Sequence, residues 1–99
     1  LTNVDSANTY IVSFSDYRVD KRLCVNVIDG YTSNLTCNNS DKNQHFKLEM
    51  TGQSKNQCRL KHLISSKYLV YLDEIFAVST NVPELPSNNN DPSLYVLDF

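Results

Sequence analysis

Seven short apolar runs, most of them alternating, set the strongest limit on what this chain can become. They read TYIVSF (9–14), RLCVNVI (22–28), HFKLEM (45–50), CRLKHL (58–63), KYLVYL (67–72), FAVST (76–80) and LYVLDF (94–99). Alternation places successive side chains on opposite faces of a strand, and the Val, Ile, Tyr and Phe content suits a pleated, half-buried surface. No window keeps a helical period over several turns. Between the runs lie IDGYTSN, CNNSDKNQ, TGQSKNQ and NVPELPSNNNDPS, where Gly30, Gly52, Pro83, Pro86, Pro92 and clustered Asn and Ser break regular structure. An all-β fold follows. Within it, RLKHLISSKYLVYLDE (59–74) reads as a strand, a tight turn at Ser65-Ser66 and a second strand. Leu60, Tyr68, Val70 and Leu72 are its expected core contacts, with Arg59, Lys61 and Lys67 facing water.

A chain of 99 residues supports one domain, 1–99, with a core just large enough to fold without metal. The net charge of -2 offers no basic footprint, so nucleic acid is not an expected partner. No apolar run approaches the ~20 residues that span a bilayer, so membrane insertion is not expected either. The opening LTNVDSANTY lacks the charged start and apolar core of a signal peptide, so a leader on a secreted form would already be gone. Cys24, Cys37, Cys58, His45 and His62 fit no zinc spacing, and neither a metal nor a cofactor is expected.

Catalysis finds little footing. His45 and His62 sit in alternating runs, and no acidic pair or Ser-His-Asp order accompanies them. A small hydrolase would need an acidic residue beside one of them in a closed cleft. The DYRVDKR stretch (16–22) alternates in sign as solvated hairpins do, Asp73-Glu74 falls at a strand end, and Pro83 and Pro86 read as loop punctuation rather than as a polyproline ligand.

The chain also repeats itself. KRLCVNV (21–27) reads against SKYLVYL (66–72), and NQHFKLEM (43–50) against PSLYVLDF (92–99). The separation suits a repeated four-strand unit over about 9–50 and 57–99, each closing on an aromatic-led strand that starts at Phe46 or Tyr95.

CVNV…TCNNSDKNQHFKL resembles one repeat of the ricin-type lectin β-trefoil, with Cys24, Cys37 and Gln44-His45-Phe46 standing where that family carries two cysteines and Gln-x-Trp. CRLKHLISSKYLVYLDE…NNNDPSLYVLDF is similar to the MIR-type trefoil repeat, which shares the fold. The resemblance implies a β-trefoil-like architecture, incomplete or trimmed, since a full trefoil needs three units and two are recognisable. It also implies a Cys24–Cys37 disulfide, with Cα atoms within about 7 Å and Cys58 left over. Closing that loop would contribute ~3 kcal/mol. For Cys58, a buried apolar role and a reactive or intermolecular thiol are both open.

Carried over position by position, the family's sugar-contacting acid, Asn and aromatic become Asn26, Asn43 and Leu35. Asn26 lacks the charge and Leu35 the aromatic face, so Tyr31 in the preceding loop is either a substitute stacking platform or an ordinary exposed loop tyrosine, and Gln44 completes the ligand-binding set. Asn43-Gln44 has a second reading, as amides that satisfy backbone groups in a turn. Asn34-Leu35-Thr36 and Asn38-Asn39-Ser40 are N-glycosylation sequons, with Asn34 and Asn38 as acceptors.

These readings converge on a non-enzymatic recognition domain, secreted or at the cell surface, or else in the lumen of the endoplasmic reticulum. Its expected partner is a glycan or glycoprotein, and a further protein subunit could complete the fold. The alternative is a protein–protein interaction domain that keeps the framework and has lost sugar binding.

Overall fold

The computed structural model describes residues 1–5, 8–16, 21–53, 56–73, 75–88 and 90–96. Residues 17–20 of the alternating-charge stretch, Glu74 and the end of the 92–99 copy lie outside the described residues. The elements are β1 (Thr2–Asn3), β2 (Thr9–Ile11), β3 (Ser13–Asp16), β4 (Lys21–Ile28), β5 (Tyr31–Thr36), a 3₁₀ turn (Lys42–Gln44), β6 (Phe46–Met50), β7 (Gln57–His62), β8 (Tyr68–Leu72), β9 (Ile75–Ser79) and β10 (Tyr95–Val96). The fold is all-β and the strand pairs are antiparallel. One sheet runs β1-β2-β6-β7-β8-β9, with β10 also on β7, and a second runs β3-β4-β5.

β5 is the strand that the apolar runs do not announce. Tyr31–Thr36 is polar at most positions, and its pattern suggests a loop. It forms because Asp29 (φ 52°) and Gly30 (φ 80°) both take left-handed backbone, the requirement of a two-residue hairpin turn whose twist matches the flanking strands. The chain then zips back along β4 from Ile28↔Tyr31 to Leu23↔Thr36. Here the partner strand makes the element, and the residues only permit it.

The pairing recurs along the chain. Tyr10 stands opposite Phe46, and Cys58 opposite Tyr95. Further along, Ser13 meets Cys24 and Lys61 meets Tyr68, each leading into a hairpin, β4–β5 or β8–β9. Both hairpins turn at an aspartate of positive φ, Asp29 and Asp73, each at 52°.

The core lies between the inner faces of these strands: Val25, Val27, Phe46, Leu48, Cys58, Leu60 and Leu69, with Phe14, Phe76, Val78 and Tyr95 packed against it. Leu60 is buried as the pattern expects, but β8 turns out in the opposite phase. Leu69 is fully buried, while Leu72 is 62% exposed. YLVYL is apolar at every position, so only the pairing with β9, Leu69↔Val78 and Tyr71↔Phe76, decides which set faces inward. Arg59 is likewise a correction: it is buried, with only 8% of its surface exposed, and does not face water.

Candidate recognition site

The residues that could recognise a ligand gather in the loop after β5 and in a cleft between the two hairpins. The loop is anchored first by Cys24–Cys37, a disulfide with a Cα–Cα distance of 4.9 Å, and Cys58 is a free, buried thiol. Cys24 alternates with the core-facing Val25, so Cys24 and Asn26 share the other face of β4. The bridge and the 3₁₀ turn pack on this strand.

Side chains then fix the loop's shape. The Asn38 Oδ1 accepts from the Ser40 N–H at 3.0 Å, and the Asp41 Oδ1 accepts from the Asn43 N–H at 3.0 Å, both local turns that Asn and Asp form readily. Gln44 donates through Nε2 to the Thr36 carbonyl at 3.1 Å and accepts through Oε1 from the Asn38 N–H at 2.9 Å. Both histidines hold this loop. His45 Nε2 lies 2.8 Å from the Asn39 carbonyl, and His62 Nε2 lies 2.9 Å from the Asn43 carbonyl while its Nδ1 faces the Ser65 hydroxyl at 2.9 Å. A carbonyl only accepts, so Nε2 carries the proton in both contacts. Burial pulls the His62 pKa below 6.5; the Asn43 carbonyl opposes that and the nearby His45 assists it.

The four expected ligand residues therefore do not form one open site. Gln44 is 1% exposed with both ends of its amide engaged on backbone, which is the turn-satisfying role. Asn26 is fully buried, and neither of its amide atoms has a partner among the described residues. Asn43 is half-buried. Tyr31, at the start of β5, is 79% exposed.

The cleft is where the inner faces of the two hairpins diverge. Its walls are the rings of Phe14, Tyr71, Phe76 and Tyr95 with Ile75, and one edge is polar, made by Thr32, Ser33 and Asn34. It is a half-open cleft of about 700 Å³, within the range of roughly 300–1,000 Å³ for small-ligand pockets. Among the described residues no charged side chain lines it. Phe76 is the hinge of the aromatic wall, 4.6 Å from the Tyr71 ring and 6.3 Å from the Phe14 ring between centroids. The Thr32 hydroxyl donates to the Phe76 carbonyl at 2.6 Å and ties one hairpin to the other. Tyr95 donates to the Leu69 carbonyl at 3.1 Å, and burial, with Cys58 beside it, pushes its phenol well above the usual range.

The alternating runs carry no sign of this cleft, because its polar edge belongs entirely to the strand they do not announce. The signal that could have found it is the Asp-Gly pair at 29–30, which fixes a hairpin and hence the face that Thr32 and Asn34 share.

Comparison with protein-family models, curated proteins and solved structures returned no match. The site's chemistry rests on its own residues. Among the described residues no helix is long and apolar enough to cross a membrane. The disulfide is compatible with an oxidising compartment.

Proposed function

We propose that this chain is a non-enzymatic recognition domain of the β-trefoil-like kind, working outside the cytosol, and that it binds a neutral glycan or glycoprotein in the cleft between the β4–β5 and β8–β9 hairpins. The observation that carries the reading is the cleft's make-up. Aromatic rings offer faces on which the C–H side of a sugar ring packs, and the adjoining Thr32 hydroxyl and Asn34 amide match sugar hydroxyls, with no charged group among the described lining residues to desolvate. The recurring strand pairing supports the trefoil-like architecture of two units.

A protein partner, including a subunit that completes the fold, is the second reading. It is favoured by the apolar surface at the hairpin ends, where Ile28 is 50%, Leu72 62% and Ile75 66% exposed, more than a sugar needs.

A glycan array with the unglycosylated chain tests both. Binding that Tyr71→Ala removes and Asn43→Ala leaves intact assigns the ligand to the cleft. Binding removed by Asn43→Ala alone moves it to the loop after β5, and a silent array shifts the reading to protein recognition.

A further inference from the structure

One residue of the cleft is itself an attachment point for sugar. Asn34 begins the sequon Asn34-Leu35-Thr36 and lines the cleft beside Tyr71 and Phe76. Its direction follows from register. Asn34 stands opposite Val25 on β4, and directly opposed residues of an antiparallel pair project to the same face. Val25 is fully buried in the core, so Asn34 points to that same inner face, at the open end where the core gives way to the cleft. The side chain is nonetheless exposed, because β5 pairs only with β4 among the described residues.

We infer that an N-linked glycan on Asn34 lies in the aromatic cleft, its first sugar rings packed on Tyr71 and Phe76, so that the glycosylated chain occupies its own recognition site. The inference rests on the reading of the cleft as a sugar-compatible site and on passage through a glycosylating secretory pathway. In the modification, the Asn34 amide nitrogen attacks the anomeric carbon of a lipid-linked oligosaccharide pyrophosphate. The Nδ2–C1 bond forms as the C1–O bond breaks, the lipid pyrophosphate leaves with the bonding pair, and one amide proton passes to a base of the transferring enzyme.

Attachment removes most of the cost of bringing sugar and cleft together. A tethered ligand sees a high effective concentration, so even weak stacking holds it in place, and a free glycan must compete with it. The second sequon provides the contrast. Asn38 sits in the loop after β5, with its Oδ1 held by the Ser40 N–H, and is not among the residues that line the cleft.

The test uses the full chain secreted from a glycosylating eukaryotic host, with Thr36→Ala and Ser40→Ala each removing one sequon while keeping its asparagine. Glycopeptide mass spectrometry reads occupancy. After enzymatic trimming to a single N-acetylglucosamine, proton NMR reads the acetyl methyl group. The expected result is an upfield ring-current shift in the Ser40→Ala protein, which carries the Asn34 sugar alone, and loss of that shift on adding Tyr71→Leu. An acetyl signal that does not move with Tyr71→Leu, or an Asn34 left unmodified by a host that glycosylates Asn38, overturns the inference. A ring-current shift with a silent glycan array upholds it while rejecting recognition of free glycans. Array binding with an unshifted Asn34 sugar does the reverse.

Discussion

The loop at 38–44 and the described residues of the second loop, Asn88 and 90–94, are held by the same four hydrogen bonds and fastened by different chemistry. In the first, Asn38 Oδ1 and carbonyl receive the N–H groups of Ser40 and Asp41, and Asp41 Oδ1 and carbonyl receive those of Asn43 and Gln44. In the second, Asn88 and Asp91 receive Asn90, Asp91, Ser93 and Leu94 in the same way. The first loop is then bound to the sheet by a disulfide, by the Gln44 amide and by two histidines. The second is bound by a buried ion pair: Arg59 on β7 reaches Asp91 at 2.9 Å, donates to the Ser93 hydroxyl at 2.9 Å and to the Pro83 carbonyl, and the Ser93 hydroxyl donates to Asp91 at 2.6 Å. Local Asn and Asp chemistry shapes each loop, and the means of attachment is independent of that shape.

The difference can be broken one side at a time, and the ion pair should give the largest effect. Arg59→Ala leaves the Asp91 carboxylate buried without its cation, and should cost about 3–5 kcal/mol in urea unfolding. Pairing Arg59→Met with Asp91→Leu should recover most of the loss, because both charges then go together. A full penalty in the double variant would mean that packing by the Arg59 stem, not charge, holds the second loop.

Replacing Cys24 and Cys37 by alanine should cost ~3 kcal/mol, most of it through a freer unfolded chain. Hydrogen exchange should rise in 38–44 and stay unchanged in 88–94. Equal loosening of both loops would show that the two attachments are coupled.

Acid should separate the two loops by pH window. The His62 pKa is depressed in the fold, so as pH falls from 6.5 the unfolded chain takes up the proton first, and stability present above 6.5 drains away through the folded pKa. Asp91 acts lower. Burial alone would raise its pKa, but hydrogen bonds from the Ser93 hydroxyl and N–H and the Arg59 contact hold it at about 2 against 3.8. Its contribution, present above 3.8 and lost toward about 2, is roughly 2 kcal/mol. Histidine-resolved NMR and unfolding at stepped pH should show 38–44 loosening first, and Asn43 amide protection that is constant from pH 7 to 5 would defeat this ordering.

The smallest effect concerns Asn26, on the strand beneath the first loop. Asn26→Leu keeps the shape and removes two amide atoms that lack a partner among the described residues, so it should be neutral or stabilising by up to about 1 kcal/mol. A loss beyond that would show that the amide is satisfied in solution.

What could be seen in the sequence divides along the same physical lines. Strands that alternate cleanly or begin at an aromatic are legible: β6 starts at Phe46 and β10 at Tyr95 because a large ring facing the core fixes the local phase. β8 is not, because Tyr-Leu-Val-Tyr-Leu offers two equally apolar faces. β5 is not, because its partner forms it. The Cys24–Cys37 bridge, present in the fold, was expected only as an implication of the family resemblance, and the Arg59–Asp91 pair joins residues 32 apart that no local pattern connects. For the site, positions carried over from the resemblance pointed to Asn26 and Gln44, both of which are buried in the fold, while the cleft depends on how two hairpins lie against each other.

The burial of Cys58 has a consequence for how the chain matures. Three cysteines allow three alternative single bridges, and during oxidative folding each thiolate can attack a bridge formed by the other two. Exchange needs an accessible thiolate. In the finished sheet Tyr95 lies opposite Cys58, the thiol is fully buried, and that burial raises its pKa. With Cys58 packed in the core and paired on both sides, the nucleophile that could scramble Cys24–Cys37 is withdrawn from exchange in the folded chain.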